Sequence, residues 1–352
     1  VPPTPTRTRH PRRRPRAEPW WATLPTEQLL EVRLCDLDLH VEGTALQARI
    51  DRLYDELARA GLVFRPYVWL STEWFTPERS TGFGVPFYLA HPRLARLEHH
   101  MMFEAEGTSH ELCMKLLRHE AAHAFDNAYR LHTRADWRAT FGRYSDPYRT
   151  NYRVQPTSRR FVQHLGWWYA QSHPAEDWAE SFAVWLAPTS RWQKVYDGWP
   201  ALQKLQRLDT MVRDVGDLPP FVHSNDRPES LPKLRYSLRE FYRRRHASYR
   251  SEPWRFDREL ALVFAPRDRT PRREQATTFL LRERVALRAK VASLTGQYRY
   301  VVDQALQAML QRCRELDLRI VRSRPATRLG AAVLTTMAVQ ALARGQRPSF
   351  RR

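Results

Sequence analysis

Two histidines stand four residues apart, His119 and His123, and Glu120 directly follows the first. On an α-helix, residues four apart lie on one face, so both imidazoles point the same way. The flanking sequence asks for that helix. Thr108-Ser109-His110-Glu111 fits a capping box, with Thr108 as the cap and Glu111 reaching back. Leu112, Leu116 and Leu117 supply an apolar side, and the helix is expected to run to about Tyr129.

The residue types suit one chemistry. Neutral imidazoles bind zinc at about 2.0–2.1 Å, and two of them leave room for a third ligand and a water. Glu120, beside the first histidine, can take a proton from that water as it attacks a carbonyl carbon. A third ligand is expected from the next helix, which Pro174 opens and Pro188 closes. Glu176 and Glu180 share a face there, so one can bind metal while the other hydrogen-bonds a ligating histidine. Two other readings stand beside this one. Both carboxylates could simply favour a helix start. His173 competes as third ligand, although a solvent-facing loop suits it better.

Around these segments the pattern is mixed. Residues 45–60 carry Leu46, Ile50, Leu53 and Leu57 at helical spacing and stop at Gly61. Residues 65–71 read as a strand, and 85–90 and 99–104 are further strand candidates. Residues 132–172 look irregular, and 201–215 read as an amphipathic helix. Pro219, Pro220, Pro228 and Pro232 mark 216–233 as a linker. Beyond it, Leu287, Val291, Leu294, Tyr298, Val302, Leu306, Met309 and Cys313 step by three or four, with Gly296 splitting the run into two helices. Such a stripe is a packing face rather than a site. Residues 1–18 are rich in Pro and Arg and are expected to be a disordered basic tail.

The formal net charge is +20, and all but five of the 58 basic residues are arginine. A field of this sign favours polyanions or acidic substrates, while arginines spread over solvated faces account for it equally well. No nucleic-acid motif supports the first reading. Cys35, Cys113 and Cys313 are odd in number and far apart, which fits a reducing compartment. No apolar leader is legible, and the longest apolar stretch, 331–343, falls short of the roughly 20 residues that span a bilayer. A soluble, cytoplasmic protein without a membrane span is expected.

An HExxH followed at a distance by a glutamate resembles the gluzincin metallopeptidases. The closer similarity is to the catalytic domain of the anthrax lethal factor group. There the motif continues His-Ala-apolar-Asp, and here it reads His123-Ala124-Phe125-Asp126. The group's third-ligand helix reads Ala-Glu-x-aromatic-Ala-Glu-x-Phe, and here Ala175-Glu176-Asp177-Trp178-Ala179-Glu180-Ser181-Phe182 follows it. The resemblance implies His119, His123 and Glu176 as ligands of one Zn2+, with Glu180 and Asp126 supporting them. It also implies a catalytic tyrosine seven residues before the third ligand, which falls on Tyr169, to stabilise an oxyanion or protonate a leaving amine. Over about 30–320 the chain is similar to uncharacterised bacterial proteins described as zinc-binding metallopeptidases, most strongly over 115–200.

The resemblance implies an α+β architecture. A zincin-like metallopeptidase domain, a small mixed sheet plus the HExxH helix, would occupy 19–215, and a mainly α-helical C-terminal region 234–352. The implied activity is hydrolysis of peptide bonds by a zinc-activated water, with Glu120 as general base. Peptide or protein substrate would add as a strand along a sheet edge, with 99–104 as that edge and 132–172 as the opposite wall. Arg143, Arg149, Arg153, Arg159 and Arg160 in that wall suggest acidic substrates or a free carboxylate. The competing reading is a non-catalytic basic zinc protein that binds nucleic acid or acts as a scaffold. A third makes the helical C-terminal region a docking module.

Overall fold

The computed structural model describes residues 18–148, 152, 154–166, 168–249, 257–267 and 272–345. The basic tail, up to residue 17, therefore lies outside the described residues, as do Arg149 and Arg153. Helices α1 (Thr26–Glu31) and α2 (Ala45–Arg59) precede strands β1 (Tyr67–Ser71) and β2 (Gly82–Pro86). Then come α3 (Pro92–Met102), α4 (His110–Tyr129), α5 (Ala135–Phe141), α6 (Pro174–Leu186), α7 (Trp192–Val195) and α8 (Pro200–Arg213). The remainder runs α9 (Leu238–Ser248), α10 (Asp257–Leu260), β3 (Phe264–Pro266), α11 (Ala276–Thr295), α12 (Arg299–Glu315), β4 (Leu318–Ile320) and α13 (Arg324–Gly345). The architecture is mixed but mostly helical, and each of its two sheets has two described strands.

Helix α4 is the axle of the first core. Its cap is Ser109, one residue later than expected: the Ser109 hydroxyl accepts from the Leu112 N–H at 3.2 Å. Thr108 is occupied elsewhere, donating to the Ala105 carbonyl at 2.7 Å. From Leu116 to Tyr129 every residue of α4 except His123 is buried. Small side chains at Ala121, Ala122, Ala124 and Ala128 let neighbours approach closely. Helix α6 uses that space. Trp178 donates its indole N–H to the Ala122 carbonyl at 3.0 Å, and the rings of Phe125 and Phe182 lie 5.3 Å apart.

The strand expectations need two corrections. β1 and β2 pair in parallel from Tyr67↔Gly82 to Ser71↔Pro86, but 87–90 form a 3-10 turn. Pro86 has no N–H with which to continue the ladder. The segment 99–104 is not a strand: it is the end of α3 and the turn after it. His91 caps that helix through Nδ1, Pro92 opens it, and Leu94, Leu97 and Met102 bury one face. A single antiparallel bridge does lie on the other side of β2. Phe75 pairs antiparallel with Gly84, whose N–H reaches the Phe75 carbonyl at 2.9 Å.

Residues 216–233, expected as a linker, lie against the first core. The N–H groups of Phe221 and Val222 both reach the Ala128 carbonyl, at 2.9 and 3.0 Å. Trp69 donates to the Pro228 carbonyl, Ser71 to that of Glu229, and Leu231 is buried. Prolines suit an extended strap as well as they suit a linker. Leu238, Phe241 and Tyr242 of α9 join the same core. A second core lies among α11, α12 and α13 and takes in Leu287, Val291, Val302, Leu306, Met309 and Cys313. Gly296 ends α11 with φ +69°, as its place in the periodic stripe predicts, while Leu294 of that stripe faces out.

Candidate metal centre

Helix α4 presents His119 and His123 with their Nε2 atoms 3.2 Å apart. Helix α6 brings Glu176 Oε2 to 3.1 Å from the first and 3.4 Å from the second. Tetrahedral zinc with ligands at about 2.0–2.1 Å needs donor atoms about 3.3 Å apart. The three atoms therefore form one face of such a tetrahedron. Glu176 Oε2 is buried and neither imidazole contact has hydrogen-bond geometry, so the carboxylate oxygen is left without a partner. A cation between the three atoms would satisfy it. Among the described residues, these three form the group of side chains able to hold a metal.

The surrounding contacts orient those donors. His119 Nδ1 lies 2.9 Å from Glu180 Oε1; a proton donated there would leave the Nε2 lone pair free for a metal. Glu180 is fully buried and its other oxygen accepts from the Leu165 N–H at 2.8 Å. Burial would push the Glu176 carboxyl up, but His123 and His119 outweigh it and hold the group well below the usual carboxylate range. Glu176 is thus the carboxylate that faces both imidazoles, and Glu180 stands behind one of them.

Glu120 lies near both imidazoles and is held from the side by Thr76. Its Oε2 accepts from the Thr76 hydroxyl at 2.8 Å. Burial raises its pKa, a rise that the two imidazoles and Thr76 only partly offset. Tyr169 lies beside His119, ring centroids 5.7 Å apart. Burial, then the nearby charge of Glu176, pushes its phenol well above 10, so it remains a proton donor at neutral pH. Asp126 is brought to a different histidine. Its carboxylate accepts from the His132 backbone at 2.7 Å and meets the His132 Nδ1 at 3.0 Å, which ties down the turn after α4.

His173 is neither a ligand nor solvent-facing. It is buried, its Nδ1 accepts from the Ala175 N–H to cap α6, and its Nε2–H reaches the Asp146 carbonyl at 2.7 Å. Its position directly before Pro174 is a helix-cap signal. The described arginines of 132–172 do not gather at the three donors. Arg143 lines a cavity with His132 and Arg138, while Arg159 sits 5.5 Å over the Trp199 ring near α8.

Two participants escape sequence reading. Tyr148 donates its hydroxyl to Glu176 Oε1 at 2.9 Å, and its ring stacks on His173 with centroids 3.8 Å apart. Thr76 reaches Glu120 from 44 residues earlier in the chain. Neither carries a local pattern that separates it from its neighbours. No match is found among protein-family models, curated proteins or solved structures.

Proposed function

We propose that the chain is a zinc-dependent peptidase with a zincin-like active site, His119, His123 and Glu176 holding the metal. The observation that carries this reading is the triangle of two Nε2 atoms and one carboxylate oxygen, with sides of 3.1–3.4 Å. Zinc in that triangle would acidify a bound water and polarise a substrate carbonyl. Glu120 is the general base: it is buried, close to both histidines in sequence and space, and anchored by Thr76 rather than by the donors. Its raised pKa brings it nearer the working range of a base that must also release its proton. Tyr169, held protonated, donates to the oxyanion or to the leaving amine.

Substrate lies along the segment around Phe75, not along 99–104, which is helical. Phe75 turns its own N–H and C=O toward Gly84, so the backbone groups of Trp74 and Thr76 face the opposite side. Thr76 also touches Glu120, which places that edge beside the base. An extended peptide added there would bring its backbone past Glu120.

Metal analysis combined with digestion of an unbiased peptide library tests the proposal. Wild type should carry one zinc per chain and cleave peptides, and Glu120→Gln should keep the zinc and lose cleavage. Purified chain that binds no zinc, or a Glu120→Gln variant as active as wild type, would overturn it.

A further inference from the structure

Arginines gather where β3 and β4 meet the start of α13, elements that contribute none of the three metal-facing side chains. Arg267 follows β3, Arg272 and Arg273 lead toward α11, and Arg322 and Arg324 lead from β4 into α13. Arg319 lies in β4 itself, opposite Ala265, and bridges to Gln275. Shared carboxylates join four arginines here in two pairs. Arg324 and, from α11, Arg282 share Glu274, at 3.3 and 2.7 Å. Arg267 and Arg319 share Asp317, at 3.9 and 3.3 Å.

Seven guanidinium groups among the described residues thus have three carboxylates between them, Glu274, Asp317 and Glu283, and Glu283 also serves Arg328. Among the described residues, no carboxylate pairs with Arg272, Arg273 or Arg322, and all three are exposed. Arg319 Nε is buried without an acceptor, and its other contacts are long, 3.3 Å to Asp317 and 3.5 Å to the Arg273 carbonyl. So the face holds together against its own repulsion and leaves cationic donors unsatisfied. Guanidinium forks match phosphate oxygens in geometry as well as charge.

We propose that this face binds the phosphodiester backbone of duplex nucleic acid, without sequence preference. The choice of a duplex rests on the rings nearby. Phe264 and Phe279, the aromatic residues of β3 and α11, are buried, so they offer no platform on which unpaired bases could stack. The proposal is independent of the peptidase reading and survives its failure.

Titrating the full chain against a short mixed-sequence DNA duplex, over a series of salt concentrations, tests it. Each neutralised phosphate contributes about −0.9 to the slope of log affinity against log salt. Replacing Arg272, Arg273 and Arg322 together by Gln should therefore flatten the slope by about 2.7 units. It should also weaken binding at least tenfold near physiological salt. A control with the same loss of charge, Arg59→Gln, Arg96→Gln and Arg207→Gln on α2, α3 and α8, should keep the slope within about one unit of wild type. Unchanged melting temperatures would show that both triple variants fold. Equal losses in the two triples would overturn the proposal, because charge alone would then explain binding. So would binding to phosphatidylserine vesicles but not to duplex, an outcome that the exposed Leu262 and Leu329 near this face make worth measuring.

Discussion

The hydroxyl of Tyr148 donates to one oxygen of Glu176 while the other oxygen of that carboxylate faces His119 and His123. A loop side chain thereby fixes how the third donor presents itself. Tyr148→Phe keeps the ring stacked on His173 and removes only the hydrogen bond. Chelator competition should find zinc held about tenfold more weakly, within the usual range for losing a contact to a metal ligand. Unchanged affinity would mean that α6 alone sets the carboxylate.

Tyr169→Phe should behave in the opposite way. On the proposed mechanism its phenol donates to substrate rather than to the metal ligands, so the variant should retain zinc as wild type does. Its kcat should fall by about a hundredfold, as when one donor to a developing oxyanion is removed. A change in metal affinity as large as that of Tyr148→Phe would contradict this division of labour.

Arg118 on α4 makes a bidentate pair with Glu56 on α2, at 2.7 and 2.9 Å, and the Glu56 side chain is fully buried. Glu56→Gln leaves a guanidinium with little access to water and no counter-charge. Breaking a buried pair of this kind costs about 3–5 kcal/mol, so urea denaturation should show a loss of that order. A loss under about 1 kcal/mol would mean that water reaches the freed guanidinium.

Glu106 has its pKa pushed up to about 7 by burial and then by the charge of Glu104. The folded state therefore holds this proton more tightly than the unfolded state does. Its contribution to stability is greatest at low pH and is lost as pH rises from the unfolded value of about 4.3 to about 7. The shift corresponds to about 4 kcal/mol across that window. In Glu106→Gln, stability measured by denaturation should decline less between pH 4.5 and 7 than in wild type. Parallel curves would show that the group titrates as an ordinary carboxylate.

The donors could be read from the sequence because helix periodicity is local. His119 with His123, and Glu176 with Glu180, each need only one helical turn to share a face. What lies between the helices is set by tertiary contact, and there sequence reading fails. Thr76 and Tyr148 reach the site because α4, α6 and β2 pack around small alanines, and nothing at either position announces it. The misread segment 99–104 has the same origin from the other side. Its start signal, His91-Pro92, lies outside the window that looked like a strand. The prolines of 216–233 correctly exclude helix, but they say nothing of where the chain lies, and the strap is held by the Ala128 carbonyl.

One imidazole fastens three things at once. His173 starts the helix that carries Glu176, holds the loop at Asp146, and offers its face to Tyr148. Losing it would loosen the third donor at its backbone and at its hydrogen bond together. A histidine scan that scored retained metal would therefore single out position 173 beside 119 and 123, and would count as a ligand a side chain whose two nitrogens are both turned toward the backbone.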